Sequence, residues 1–165
     1  MADFDPVGTL PFFRERHRIE SQITGFVFGA LPTDGLSYAP HPSSSTAGAT
    51  AWTIVRCLRV CIQLTEARIA DVPHDSHPDL DGIIIAFQRE SRALGDRLLA
   101  LEQRDWNERR SVTANGQVLL TQPLGQILWL FHVDAIHHRG QLSTFLRPLG
   151  AKVPSIYGPS GDSHV

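Results

Sequence analysis

Cysteine, charge and long apolar runs are all scarce in this chain, and each scarcity removes a class of protein. Cys57 and Cys61 are the only cysteines. Two thiols make no disulfide framework. They stand four apart on one expected helix and read as small buried apolar groups in a reducing cytoplasm. Charged residues are 19% of the chain and the formal net charge is -2. The dense basic surface of a nucleic-acid binder is missing, so no nucleic-acid partner is expected. Arg14, Arg16, Arg18, Arg89, Arg92 and Arg97 are scattered as solvated helix faces would be. No apolar run approaches the roughly 18 residues of a membrane span. The opening MADFDPVGTLPFF has no basic stretch leading into an apolar one, so no secretory signal is read there and the expected location is cytoplasmic. There is no Gly-rich phosphate loop, G-x-S-x-G, H-E-x-x-H or C-x-x-C motif, and no acid pair suggesting glycosidase chemistry.

What the chain does have is apolar periodicity. At 165 residues and 42% hydrophobic it is expected to be one domain, 1–165, with a substantial core. Phe12, Phe13, Ile19, Ile23, Phe26, Val27 and Ala30 recur at helical spacing, predicting a first helix from about Leu10 to Leu31 that stops before Pro32. The Pro/Ser-rich segment from Ser37 to Ser45 is a loop, and Ser45 or Thr46 caps a second helix over about 47–70. Asp79 caps a third over about 79–104, with a seam through Leu80, Ile84, Phe87, Ser91, Leu94, Leu98 and Leu101. Asn115-Gly116, between Val112 and Val118, predicts a short hairpin with a type I′ turn in an otherwise irregular stretch. A fourth helix runs from Leu124 to Arg147 and ends at Pro148; the Pro/Gly-rich tail folds back over the helices. The expected fold class is all-α, a four-helix bundle with that hairpin or irregular segment between helices three and four.

The fourth helix carries the chemistry. Its apolar stripe is drawn through Ile127, Phe131, Asp134, His138, Leu142 and Phe145. Asp134 and His138 are one turn apart and share a face. An acid and an imidazole in a core stripe need a partner, because a buried charge is costly alone. A divalent metal is one such partner, since carboxylate oxygen and neutral imidazole nitrogen both ligate zinc, nickel or iron. A direct Asp134–His138 hydrogen bond is the other.

The stretch LWLFHVDAIHHRGQLSTFLRPLGAKVPSIYGPSGD, 128–162, strongly resembles the C-terminal half of the DinB-like proteins, a family of bacterial four-helix bundles. YAPHPSSSTAGATAW, 38–52, resembles that family's entry into its second helix. The resemblance implies one divalent metal, nickel or zinc, between the second and fourth helices. It implies a His ligand on the second helix and two ligands four apart on the fourth. Asp134 and His138 match the latter pair, and Thr53 stands where the second-helix His is expected, after Ala51-Trp52. With Thr53 a poor ligand, low metal occupancy is expected. Cys57, one turn on, is a substitute third ligand, and His41 in the preceding loop is another candidate. The wider superfamily implies thiol-dependent transferase chemistry, with a small thiol and an electrophile as partners. A homodimer is also expected, since such bundles often form symmetric dimers.

Two functional expectations therefore stand side by side. One is a reduced metal site, Asp134 and His138, with transferase-type chemistry. The other is a degenerate, non-catalytic bundle acting in binding or assembly. Whether the chain is an enzyme stays open at this level. Arg139 is expected in an ion pair, Gly140 at a close helix approach, Gln141 hydrogen-bonded near the site, and Tyr157 as an anchor with its hydroxyl inward. Trp52 and Trp129 belong to the core or an interface. His132 and His137 lie off the Asp134/His138 face, and His17, His74, His77 and His164 read as surface residues.

Overall fold

The computed structural model describes residues 8–162. Its elements run α1 (Leu10–Gly29), α2 (Ala47–Glu66), β1 (Ile69–Asp71), α3 (Leu80–Ala100), α4 (Gln103–Asn107), β2 (Arg109–Ala114), β3 (Gln117–Pro123) and α5 (Leu124–Leu146). The fold is mostly helical with a small three-stranded sheet. The all-α expectation is corrected by that sheet, because β1 pairs parallel to β2 and β2 pairs antiparallel to β3.

Local chemistry sets the helix starts. Thr9 Oγ1 accepts the Phe12 amide, Thr46 Oγ1 accepts that of Ala49, and Asp79 Oδ1 accepts that of Gly82. Each occupies one of the four amides a helix start leaves unbonded. The second and third helices end sooner than their periodicity implied. Arg68 and the residues after it leave α2 because Ile69, Ala70 and Asp71 find bonding partners on β2. The third breaks at Leu101, and a separate short turn, α4, places Trp106. At the hairpin, Asn115 and Gly116 take φ of 52° and 75°, as a type I′ turn requires. α5 closes on Gly150, at φ +76°, with the Ala151 amide returning to the Leu146 carbonyl.

α1 packs on α3 and α5, and α2 packs on the other sides of the same two helices. The four long helices thus close a ring in the order α1, α3, α2, α5. Phe13, Phe28, Ile54, Leu64, Ile83, Leu94, Leu128 and Leu142 fill its interior. Trp106 caps one region of this core. Its indole donates to the Gly8 carbonyl at 3.0 Å, and its ring lies so close to Gly125 that a Cβ there would fall 2.2 Å from Cε2. No helix among the described residues is long and apolar enough to cross a membrane.

Candidate functional site

The α2–α5 seam brings three of the expected residues together. Asp134 Oδ2 lies 3.6 Å from His138 Nε2 and 3.5 Å from Cys57 Sγ. The premise of a buried acid is corrected, however. The Asp134 side chain is 47% exposed and that of His138 23%. The core face of α5 instead follows Leu128, Arg139, Leu142 and Leu146, so the stripe through Asp134 runs along the edge of the seam. The carboxylate is in contact with water and needs no metal to be tolerated.

Each neighbour of Asp134 is in a definite state. The Cys57 thiol donates to the carboxylate, and burial, with the charge of Asp134 added, pushes its pKa well up. Cys61, buried deeper on the same helix, is pushed up to about 12 by burial. Both sulfurs are therefore neutral thiols at neutral pH and poor nucleophiles. In the folded protein neither should react measurably with iodoacetamide at pH 8, whereas both should react in urea. A mass shift on the native chain within minutes would contradict this assignment.

Thr53 turns away from the seam. Its hydroxyl donates to the Ala49 carbonyl at 3.0 Å, one turn back along its own helix. His138 Nδ1 donates to Gln141 Oε1 at 2.9 Å, fulfilling the role expected of Gln141. In a neutral ring this leaves the Nε2 lone pair directed at the Asp134 side. His41 stays in its loop, accepting the Ser43 amide on Nδ1.

This donor set does not fit a resident metal. Among the described residues no group of three or more His, Cys, Asp or Glu is placed to hold an ion. Two donors, Asp134 and His138, are ligand-ready. The third position is a hydroxyl engaged with the Ala49 carbonyl, and the adjacent sulfur is hydrogen-bonded to Asp134.

Sequence reasoning passed over a second polar cluster. In α1, positions 10, 13, 17, 20, 24 and 27 form an unbroken helical stripe, and all six are buried, His17, Glu20 and Thr24 included. That spacing was the available signal. His17, expected at the surface, is corrected to a core residue whose Nε2 contacts the Ser91 carbonyl at 2.9 Å. Arg139, only 1% exposed, pairs with Glu20 at 2.5 Å, and Tyr157 in the tail donates to the same carboxylate at 2.8 Å. Arg139 also donates to the Tyr157 oxygen. Arg16 completes the set on Glu20. The expected ion pair of Arg139 and inward hydroxyl of Tyr157 are thus one network, sewing the tail to α1 and α5. Burial alone would raise the Glu20 pKa, but the hydrogen bonds from Arg139 and Tyr157 outweigh it and hold the carboxyl below its usual range. Phe13 and Trp129 meet His132 edge-on, the His17 ring lies tilted to it at 6.5 Å, and burial pushes the His132 imidazole down to about 4.

Smaller expectations are settled by the same geometry. His77 is half-buried, its ring on the first turn of α2 where a Cβ at Gly48 would be 2.7 Å away. Gly140 faces open space and makes no close helix approach. Trp52 is core, with Arg59 stacked over its ring at 4.7 Å. His137 and His74 are exposed, and His164 lies outside the described residues.

A capped helical ring with a small sheet and an Asp–His pair on the fourth long helix defines a class, and comparison with known proteins names it. The model of the DinB family matches residues 11–163, and the chain belongs to that family. It is 24% identical to the uncharacterized protein YrdA of Bacillus subtilis (strain 168), over 92% of this chain and 90% of that protein. The fold is similar to that of a DinB-like protein from Bacillus cereus ATCC 10987, with a TM-score of 0.75 and 22% identity, over 92% of this chain and 100% of the other. It is also similar to the DinB-like protein YjoA of Bacillus subtilis, with a TM-score of 0.71 and 16% identity, over 88% and 98% of the two chains.

Proposed function

We propose that this chain is a DinB-type four-helix bundle that acts by binding, its seam between α2 and α5 no longer furnishing a resident metal centre. One observation carries the reading: the residue at the expected third-ligand position, Thr53, is engaged with its own backbone while Cys57 keeps its proton for Asp134. What persists is a thiol–carboxylate–imidazole cluster that reaches solvent through Asp134 and His138, with the thiol buried beneath. Leu130 and Val133, exposed one turn apart on α5, offer an apolar surface for the expected homodimer.

Zinc and nickel titration of the Thr53→His variant tests it. A second imidazole, supplying a third ligand one helix across from Asp134 and His138, should raise affinity at least a hundredfold over wild type. Equal affinity in both proteins would break the assignment of position 53 as the lost ligand.

A specific observation supports a second reading. His138 already donates through Nδ1, which leaves Nε2 in the state a metal ligand needs, beside a half-exposed carboxylate. On that reading Asp134 and His138 form a reduced divalent-metal site of low occupancy, nickel or zinc, completed by an external small thiol for transferase-type chemistry. It requires that zinc binding by the wild-type chain become at least tenfold tighter when a small thiol is added. Thiol-independent affinity eliminates it.

A further inference from the structure

The α1–α3 seam lies across the helical ring from the Asp134 cluster and holds a groove of about 770 Å³. That volume is within the range of sites for small organic ligands. We propose that this groove binds a small molecule with an apolar body and a carboxylate head, the body over Gly95 and the head at Arg92.

Four features of the walls lead to this ligand. Gly95 opens the C-terminal part of α3, since a Cβ there would stand 4.0 Å from the His17 ring. A glycine inside an exposed helix costs stability, and here it leaves room for a flat or linear apolar group. Leu98 and Leu99 continue the apolar wall, Leu98 buried and Leu99 72% exposed. The Ser91 hydroxyl, at the inner wall, is buried without a hydrogen-bond partner among the described residues.

Charge selects the head group. Arg14, Arg18 and Arg92 face Glu15 and Asp96 around the groove, an excess of one positive charge. Arg18 is held by Glu15, and Arg14 donates to the carbonyls of Leu98 and Leu101, where its charge is not cancelled. Arg92 makes no ion pair or hydrogen bond among the described residues and stands at the rim; Asp96, one turn on, lines the same groove and is likewise unpaired. A guanidinium with all its donors open matches a carboxylate in a bidentate pair. This site does not rest on the reading of the α2–α5 seam and holds whether or not that seam binds metal.

The test titrates the full chain with octanoate and with octanol, followed by calorimetry and by amide chemical shifts of α1 and α3. Octanoate should bind at least tenfold more tightly than octanol. Gly95→Leu, which fills the groove with a better helix former, should abolish binding of both while keeping the melting temperature at or above wild type. Arg92→Glu, an exposed substitution, should weaken octanoate at least tenfold and leave octanol unchanged. Equal binding of octanoate and octanol would overturn the carboxylate head. Failure of both to bind, or full retention of octanoate binding in either variant, would overturn the site.

Discussion

Arg139→Ala is expected to cost about 3–5 kcal/mol of stability, a large share of the total for a domain of this size. The reason is the state of Glu20 once its partner is gone. The carboxylate is 3% exposed and would keep only Arg16 and the Tyr157 hydroxyl. Removing one member of a buried pair strands the other, whereas replacing both with apolar groups does not. The Glu20→Leu, Arg139→Met double variant should therefore be more stable than Arg139→Ala alone. Tyr157→Phe removes two hydrogen bonds with charged groups, one donated to Glu20 and one accepted from Arg139, and should cost about 1.5–3 kcal/mol. Chemical denaturation of the four proteins at pH 7 measures all of this. An Arg139→Ala loss below about 1 kcal/mol would show that the network contributes no more than a surface pair.

Acid should destabilise the protein well before its carboxylates titrate. An unfolded histidine takes up its proton near pH 6.5, while His132 in the fold does so only at about 4. Between those values the unfolded chain binds more protons, so stability is fully present above pH 6.5 and falls with the pH toward 4. For His132 alone the loss is about 2 kcal/mol between pH 7 and 5 and about 3 kcal/mol by pH 4. His17, lowered by burial against the opposing pull of the Ser91 carbonyl, adds a contribution of the same sign. Glu20, held below its usual range, acts lower, its contribution being lost as the pH falls below the ordinary carboxyl value. His132→Phe keeps an aromatic ring against Phe13 and Trp129 and carries no titrating proton. Its stability should vary between pH 7 and 5 by about 2 kcal/mol less than that of wild type. Parallel curves for the two proteins would show that the His132 imidazole titrates as it does in water.

Apolar spacing located the four long helices, Thr46 and Asp79 marked two of their starts, and Asn115-Gly116 marked the hairpin. These features depend on neighbouring residues, so a sequence displays them. β1 depends on a partner some forty residues away, and three residues of alternating burial carry no signal of their own. Arg139 and Glu20 were hard to place for a related reason. Formal charge argues for a surface position, and only the meeting of α1, α5 and the tail makes burial tolerable. The pairing of Asp134 with His138 followed from spacing, and the structure brings Cys57 to the same place. The exposure of Asp134 did not follow, because a stripe in steps of three and four can be drawn through two adjacent faces of α5. The true core face is the one shared by Leu128, Arg139 and Leu142.

Elemental analysis of the wild-type chain, purified without an immobilised-metal column, tests the central claim most directly. A donor set of Asp134 and His138 alone, with Thr53 turned to Ala49 and Cys57 protonated, should retain far less than about one equivalent of zinc, nickel or iron through dialysis. About one equivalent in the wild type, lost in His138→Ala, would contradict the account and return the α2–α5 seam to the rank of a metal centre.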